Sequence, residues 1–307
     1  MKFLAGAALV GPPALWTMQH LRSPAVTNWD PPSLPGRHTG SLYARSGGDG
    51  DQAVVLLHGL VSSGDVFGGA YDQLAADFKV VVPDLLGFGR SLDVTRTSFS
   101  ADDHLEALDE LATEHGLFEK RWILGAHSMG SGLALRWAAR HHERVDKIVC
   151  WGAPIYPSPE AALARISGST MTRLFVLDTE WAKRACHMSC RNRTASGWLS
   201  AAIEPSLPVS VARAVSLHTW PAYRDSMYGL VIDTDWRQLL DSLDNNKVNL
   251  ELVWGSNDKV GDRPYARQLI DKSRHAVMTI IHGAGHHLPL TQPSLCLNQL
   301  TNGQQPH

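Results

Sequence analysis

The sequence has few cysteines, no long block of like charges and no hydrophobic run of ordinary membrane-spanning length. Four cysteines in 307 residues are too few for a disulfide framework, and they fit a protein of a reducing compartment. The 28 basic and 30 acidic residues give a formal net charge of -2, which offers no electrostatic reason to expect nucleic acid as a partner. The composition therefore argues against a disulfide scaffold and against a nucleic-acid-binding protein.

One apolar stretch, at the N-terminus, raises the question of a membrane. It runs from residue 3 to residue 18, is shorter than a comfortable span and is interrupted by Gly-Pro-Pro at residues 11 to 13. We expect a cytoplasmic protein. The alternatives are a membrane-anchored or exported protein that uses residues 1 to 20, or an apolar arm that packs on the protein. Membrane contact through this segment therefore stays open.

The distribution of apolar runs divides the rest of the chain. We interpret residues 1 to 40 as the apolar segment and a proline-rich connector, and residues 301 to 307 as a polar tail. Residues 41 to 155 and 247 to 300 alternate buried strands with helices, which predicts an α/β fold with a mostly parallel central sheet flanked by helices. Residues 156 to 246 contain helix-favouring segments broken by prolines, which predicts an inserted helical cap.

A serine separates a buried strand from a helix in the middle of the chain. An apolar run that begins at Trp122 ends at Ser128, and a pattern rich in leucine and alanine comes after it. Such a strand-to-helix turn exposes the hydroxyl and points the first helical amides at whatever binds there. The sequence comes close to G-x-S-x-G, with Gly130 in the second glycine position and Ala126 in the first. Ser128 is therefore the candidate nucleophile.

A serine at its ordinary pKa is a poor nucleophile and needs a base, which in turn needs an orienting group. Parallel strands present their carboxyl ends at one edge of a sheet, so the candidates lie just beyond the later strands. Gly-Ser-Asn-Asp at residues 255 to 258 comes after one strand, and His-Gly-Ala-Gly-His-His at residues 282 to 287 comes after the last. The carboxylate candidates are Asp258 and Asp262, and the base candidates are His282, His286 and His287.

In four motifs the chain resembles the α/β-hydrolase superfamily, most closely its cap-bearing esterases, lipases and carbon-carbon hydrolases, over roughly residues 40 to 298. The motifs are His-Gly-Leu at residues 58 to 60, Asp-Leu-Leu-Gly-Phe-Gly-Arg-Ser at 84 to 91, Ala-His-Ser-Met-Gly at 126 to 130, and the paired ends Trp-Gly-Ser-Asn-Asp at 254 to 258 and Gly-Ala-Gly-His at 283 to 286. Each motif is weak alone, but their joint order and spacing make coincidence improbable.

The resemblance implies a catalytic triad in the chain order serine, aspartate, histidine. It assigns Ser128 as nucleophile, His286 as general base and then acid, and Asp258 as the carboxylate that holds the imidazole. Asp258 is favoured because it lies in the matching turn, and His286 because it matches the Gly-Ala-Gly-His motif. The resemblance also implies an oxyanion hole formed by the backbone N–H groups of Leu60 and Met129.

Three further polar residues of these motifs are interpreted as structural. We expect His58 and His127 to make hydrogen bonds that shape the loops around the site, and Asp84 to stabilise its own turn.

The function expected from these residues is that of a serine hydrolase which cleaves an ester or related acyl bond of a small apolar substrate through an acyl-enzyme. The alternatives are a carbon-carbon bond hydrolase, a cofactor-free haloperoxidase-like member, and a non-catalytic ligand-binding relative. Epoxide hydrolases and haloalkane dehalogenases are disfavoured because they use an aspartate where this chain has Ser128. We expect ordinary packing for four large side chains of the insertion, with a pocket-facing role as the alternative: Trp181, Trp198, His218 and Trp220.

No cofactor and no metal are implied by the sequence. The sequence Cys-His-Met-Ser-Cys at residues 186 to 190 carries two thiols, but a second ligand pair at recognisable spacing is missing. These cysteines are therefore expected to pack between helices.

Overall fold

A computed structural model describes residues 12 to 168 and 178 to 301 of the protein. In this part of the chain the strands are β1 (Gly36–Thr39), β2 (Leu42–Gly47), β3 (Gln52–Leu57), β4 (Lys79–Asp84), β5 (Arg121–His127), β6 (Val145–Trp151), β7 (Asn249–Gly255) and β8 (Ala276–Ile281). They form one sheet in the order β1-β2-β4-β3-β5-β6-β7-β8. Strands β3 to β8 are parallel, and β1 and β2 are antiparallel to their neighbours. The expected α/β fold with a mostly parallel sheet is confirmed.

The helices connect these strands and cover the sheet. They are α1 (Pro12–Arg22), α2 (Pro24–Thr27), α3 (Gly69–Asp72), α4 (Ala101–Glu114), α5 (Met129–Arg140), α6 (Pro159–Ile166), α7 (Glu180–Arg191), α8 (Arg193–Ile203), α9 (Val209–Ala214), α10 (Trp220–Met227), α11 (Trp236–Asn245), α12 (Arg263–Ile270), α13 (Leu288–Thr291) and α14 (Pro293–Thr301). Helix α4 begins with the capping box expected from the sequence, since Ser100 and Asp103 exchange side-chain-to-backbone hydrogen bonds.

The central strands are buried on both faces, which explains why they are continuous apolar runs. Along β3, the side chains of Val55 and Leu57 belong to one hydrophobic cluster, whereas Val54 and Leu56 belong to the cluster on the opposite face. All four are fully buried. Successive residues of a strand point to opposite faces, so a strand covered on both sides needs apolar residues throughout.

The segment predicted to be a connector between the N-terminus and the sheet contains regular secondary structure. Residues 19 to 40 include the end of α1, helix α2 and strand β1, which pairs with β2, so the sheet begins at Gly36 rather than after residue 40. The two strands are joined by a two-residue turn in which Gly40 has φ +56°. Strand β1 is short, polar and mostly exposed, and it therefore lacks the apolar pattern by which strands are predicted.

Helix α1 contacts the region around the end of α8. The indole N–H of Trp16 donates to the carbonyl of Ala201 (3.3 Å), His20 Nδ1 lies 2.9 Å from the carbonyl oxygen of Pro205, and the hydroxyl of Ser23 donates to the carbonyl of Ser206. In the described part of the chain, no helix combines the length and apolar character that crossing a bilayer requires. Of residues 1 to 20, on which the anchor and export alternatives depend, residues 1 to 11 lie outside the described residues, as do residues 302 to 307 of the polar tail.

Between β6 and β7 the described residues form helices α6 to α11, which we call the helical segment; residues 169 to 177 lie outside the description. Several prolines that interrupt this part of the sequence occupy helix starts. Pro159 and Pro221 lie in the first turns of α6 and α10, where Ser158 and Thr219 cap the helices. Proline suits the first turn of a helix because an N–H there has no partner within the helix.

Candidate active site

The turn between β5 and α5 holds Ser128 in a rare backbone conformation. Its φ is +54° and its ψ is -123°, although it is not glycine. A Cβ atom at Gly130 would lie 2.5 Å from the carbonyl oxygen of Leu57 and 2.6 Å from that of His58, so only glycine fits there. Ala126, the departure from G-x-S-x-G, is fully buried in the strand that leads to the turn.

The side chains of Ser128, His286 and Asp258 form a continuous hydrogen-bonded chain. His286 Nδ1 lies 2.9 Å from Asp258 Oδ2, and His286 Nε2 lies 3.1 Å from Ser128 Oγ. Because a carboxylate only accepts, Nδ1 carries the proton and Nε2 accepts from the seryl hydroxyl. The N–H of Val260 donates to the second oxygen, Asp258 Oδ1, at 2.8 Å. The carboxylate of Asp258 is fully buried, while the imidazole of His286 is 22% exposed, so the imidazole is open to solvent and the carboxylate is not.

The rival residues lie elsewhere. Asp262 caps α12, where its carboxylate accepts from the N–H of Tyr265 at 3.0 Å. His282 is exposed in the turn after β8, and the ring centroid of His287 lies 5.5 Å from that of His286. The structure thus brings Asp258 and His286, and not their competitors, to Ser128.

His127 ties the loop that carries His286 to the strand that leads to Ser128. Its Nε2 donates to the backbone carbonyl of His286 at 3.0 Å, and the centroids of the two imidazole rings are 4.7 Å apart. Burial, followed by the neighbouring histidines, holds the pKa of His127 well below its usual value, so the ring is neutral. A neutral ring beside His286 adds no positive charge that would oppose protonation of that imidazole.

His58 fixes the loop after β3. Its Nδ1 donates to the carbonyl of Gly59 at 2.7 Å, and its Nε2 accepts from the N–H of Leu85 at 2.8 Å. The ring is fully buried, and burial lowers its pKa, which keeps one nitrogen as donor and the other as acceptor. Next in this loop, Val61 has φ +49°, a strained conformation for a β-branched residue.

The expected oxyanion donors lie in segments adjacent to the serine. Met129 is the first residue of α5, so its N–H has no acceptor within the helix. Leu60 comes directly after Gly59, where an added Cβ would lie 3.0 Å from the Cβ of Ser128. The loop therefore approaches the turn closely at Gly59, where a side chain would crowd Ser128.

Asp84 stabilises the turn that carries it. Its carboxylate accepts from the N–H of Gly64 at 2.7 Å and from the N–H of Arg90 at 2.7 Å. The side chain is 1% exposed and bridges the loops after β3 and β4.

Gly152 belongs to this site, although no motif in the sequence identifies it. It lies directly after β6 with φ +65°, and an added Cβ would lie 2.8 Å from His286 Nδ1 and 2.9 Å from Asp258 Oδ2. The backbone at Gly152 therefore forms a wall against the hydrogen bond between histidine and aspartate. The signal available in the sequence is a glycine directly after a buried strand, at the edge where Ser128 lies.

The four large side chains of the helical segment have different surroundings. Trp181 is 64% exposed and Trp198 is 54% exposed, with the guanidinium of Arg213 4.4 Å from the latter's ring. His218 and Trp220 are buried, as expected for packing residues. The two exposed tryptophans are neither buried packing residues nor enclosed in a pocket.

Comparison with known proteins identifies a family. The family model described as the alpha/beta hydrolase fold matches residues 52 to 293. An uncharacterised protein of Mycobacterium tuberculosis is 32% identical over 121 residues, which are 39% of this chain and 34% of that protein. Lipase 1 of Psychrobacter immobilis is 29% identical over 127 residues, or 39% of each chain. The matched region thus spans about two fifths or less of the length of these relatives.

Solved structures agree on the fold. An N-acyl homoserine lactonase superposes with a TM-score of 0.63 and 18% identity, covering 90% of this chain and 100% of that one. E-2-(acetamidomethylene)succinate hydrolase gives a TM-score of 0.62 at 19% identity, covering 88% and 98%. A bromoperoxidase from Bacillus anthracis gives 0.62 at 20% identity, covering 84% and 92%. At such identities the likeness establishes the fold and leaves the reaction to be argued from the site.

Proposed function

This chain belongs to the α/β hydrolase fold family, and we propose that it is a serine hydrolase which cleaves an ester or related acyl bond of a small apolar substrate. The observation that carries the proposal is the hydrogen-bonded chain from Ser128 through His286 to the buried Asp258. This arrangement provides a nucleophile, a base within reach of its proton, and a carboxylate that orients the base.

In the first half of the reaction, Ser128 Oγ attacks the acyl carbon while His286 Nε2 takes the hydroxyl proton. The carboxylate of Asp258 stabilises the resulting imidazolium through Nδ1–H. The carbonyl oxygen becomes an oxyanion, for which the N–H groups of Leu60 and Met129 are the proposed donors. As the tetrahedral intermediate collapses, Nε2–H protonates the leaving alkoxide, and the acyl group remains on Ser128.

In the second half, His286 removes a proton from water, and the resulting hydroxyl attacks the acyl-enzyme. The proton then passes from Nε2 to Ser128 Oγ as the acid product leaves. The solvent-exposed part of the imidazole gives water a route to the base. His127 supports both halves because it fixes the backbone carbonyl of His286 without competing for the proton.

We propose that the helical segment forms a cap over this edge of the sheet. Its support is a set of contacts with loops after β4. The N–H of Gly89 donates to the carbonyl of Leu217 at 2.9 Å, and the N–H of Phe99 donates to Asp225 Oδ2 at 3.1 Å. These loops lie beside the loop of His58, which supports a position of the segment on the side from which a substrate would reach Ser128.

Covalent labelling with a fluorophosphonate tests the proposal. We expect one adduct, located on Ser128 by peptide mass spectrometry, because this probe phosphonylates serines activated by a neighbouring base. Ser128→Ala should abolish the adduct, whereas Ser131→Ala, in the first turn of α5, should leave it unchanged. Folded protein without an adduct at Ser128 would reject the serine hydrolase and favour the ligand-binding alternative.

A substrate panel separates the remaining alternatives. Hydrolysis of p-nitrophenyl esters, with slower or absent turnover of amides and vinylogous diketones, is the expected result. Preferential cleavage of the diketones would assign the protein to carbon-carbon bond hydrolysis, and halogenation dependent on peroxide would assign it to the haloperoxidase-like class.

A further inference from the structure

Three potential metal ligands converge within the helical segment. Cys186 and Cys190 are four residues apart on α7 and share one face of the helix, with their sulfur atoms 3.3 Å apart. His218, from the connection between α9 and α10, places Nε2 3.5 Å from Cys186 Sγ. The three donor atoms lie within 4.8 Å of one another, and no other group of three or more such side chains converges in this way among the described residues.

We propose that Cys186, Cys190 and His218 bind one Zn(II) ion, with water as the fourth ligand. Thiolates and imidazole are the ligands that zinc prefers, and sites with three protein ligands complete their coordination with water. Bond lengths of about 2.3 Å to sulfur and about 2.0 Å to nitrogen in a tetrahedron place two sulfurs about 3.8 Å apart and a sulfur and a nitrogen about 3.5 Å apart. The observed sulfur-to-nitrogen separation of 3.5 Å matches, whereas the sulfur-to-sulfur separation of 3.3 Å is about 0.5 Å shorter, so the two thiolates must move apart by about that much to bind the ion.

The surroundings suit a buried cation that keeps one water. His218 and Cys190 are buried, whereas Cys186 is half-buried and marks the side that solvent can reach. Thiol protons must leave for zinc to bind, and a nearby cation favours the thiolate form. Arg193, three residues after Cys190, provides that charge and donates to the carbonyl of His218 at 3.4 Å.

The ion would join two parts of the helical segment that are distant in sequence. In the structure, the thiol of Cys190 donates to the carbonyl of His218 at 3.0 Å, a contact that holds α7 against the connection before α10. The ring centroid of His218 lies 6.2 Å from that of Phe88, which lies 6.2 Å from that of His58. A zinc ion here would therefore join α7 to the connection before α10, whose His218 lies near the loops next to Ser128.

Cadmium titration of the full chain tests the site. Protein stripped with a chelator under reducing conditions should develop a thiolate-to-cadmium charge-transfer band that saturates at one equivalent of cadmium. Zn(II) should displace the cadmium and remove the band. Cys186→Ser and Cys190→Ser should each weaken the metal's affinity strongly. His218→Asn should weaken zinc binding at least about 10-fold, because even the loss of an outer-shell partner costs that much.

His187 on α7 provides the matched control. It is exposed and adjacent to Cys186, so His187→Asn should bind cadmium and zinc like the native chain. Ser128→Ala should also bind normally, which separates this test from that of the hydrolase. Circular dichroism shows which variants are folded. If His218→Asn does not fold, Cys186→Ser still tests the site, because Cys186 is only half-buried.

Three outcomes would overturn the zinc site. In the first, the reduced native protein develops no charge-transfer band at one equivalent of cadmium. In the second, the native chain and His218→Asn bind the metal with equal affinity. In the third, His187→Asn loses as much metal binding as His218→Asn.

Discussion

The sheet with its covering helices differs from the helical segment in how completely it buries apolar side chains. Strand residues such as Val55, Leu124 and Ile148 are fully buried, and both faces of the sheet are covered. In the helical segment the exposed large apolar side chains are Trp181, Met188, Trp198, Leu199, Ile203 and Val215. Both regions bury apolar side chains in one core cluster, but most of the exposed large apolar side chains of the described residues lie in the helical segment.

The difference indicates which region holds the reactive geometry. Ser128, Asp258 and His286 all lie just beyond strands whose positions are determined by hydrogen bonds to neighbouring strands and by packing on both faces. The helical segment contributes contacts to the loops above them and no member of the hydrogen-bonded chain. Changes in the sheet region are therefore expected to affect catalysis strongly, and surface changes in the helical segment weakly.

The largest expected effect comes from removing the proposed nucleophile or the proposed base. Ser128→Ala and His286→Ala should each lower ester hydrolysis by a factor of order 10⁶, as in serine proteases, because the members of the triad act as a unit. Turnover of p-nitrophenyl acetate by purified, folded variants measures the loss. His287→Ala is the control and should keep most activity; full loss there with activity kept in His286→Ala would reassign the base.

Gly152→Ala should be the next most damaging change. The added methyl meets His286 Nδ1 and Asp258 Oδ2 at less than 3 Å, and the displaced base should lower kcat by about 10²-fold. Gly116→Ala is a matched control, because Gly116 has the same φ of +65° but nothing lies within 4 Å of its added Cβ. Steady-state kinetics measure kcat for both variants. An equal decrease of kcat in the two would mean that backbone strain alone causes the loss.

Ala126 tests how tight the turn is. Ala126→Gly should keep activity, whereas Ala126→Val should lower it by about 10-fold or more, because two extra methyl groups in a filled strand displace the turn at Ser128. Ala126 lies between Leu57 and Cys150 on the neighbouring strands and is fully buried. Steady-state kinetics, with circular dichroism as a check on folding, distinguish displacement of Ser128 from unfolding. A fully active valine variant would indicate a looser turn.

Acid should destabilise the protein through buried histidines of the sheet region. Burial lowers the pKa of His104 from 6.5 to about 3, so below pH 6.5 the unfolded chain takes up a proton that the folded chain does not. This group therefore reduces the free energy of unfolding by about 1.4 kcal/mol for each pH unit below 6.5, until about pH 3. Burial of His58 and His127 acts in the same direction.

Urea midpoints measured from pH 8 to pH 5 check this dependence. His104→Gln should reduce the slope below pH 6.5, because glutamine can bond the hydroxyl of Ser226 as His104 does at 2.9 Å but does not titrate. His142→Gln, at a histidine whose side chain is partly exposed after α5, should leave the slope unchanged. A slope insensitive to His104→Gln would exclude this histidine as a source of acid sensitivity.

The smallest effect is expected at the surface of the helical segment. Trp181→Ala should change the free energy of unfolding by less than about 0.5 kcal/mol and leave relative rates across acyl chain lengths unchanged, since the side chain is 64% exposed. Trp236→Ala, at a residue that is 1% exposed, should cost about 3 to 5 kcal/mol. A marked change of chain-length preference in Trp181→Ala would give the exposed tryptophan a role in binding.

Much of the fold is accessible from local patterns. The parallel strands are apolar runs because both faces are buried, and the capping pair Ser100 and Asp103 marks the start of α4. Local patterns do not predict strand β1, because its pairing with β2, and not its own sequence, makes it a strand. Gly152 escapes them because its importance lies in its distance to His286 and Asp258, which are more than 100 residues away along the chain.

The sequence by itself determined the strand-to-helix turn at Ser128 and the order of the candidate triad, because both depend on residue types at fixed local spacing. Tertiary structure decided which aspartate and which histidine reach that serine, because the competitors are only a few residues away and the choice depends on loop geometry. It likewise brought His218 to Cys186 and Cys190, where spacing along the chain offered no further ligand. Contacts between distant segments depend on packing, which no local pattern records.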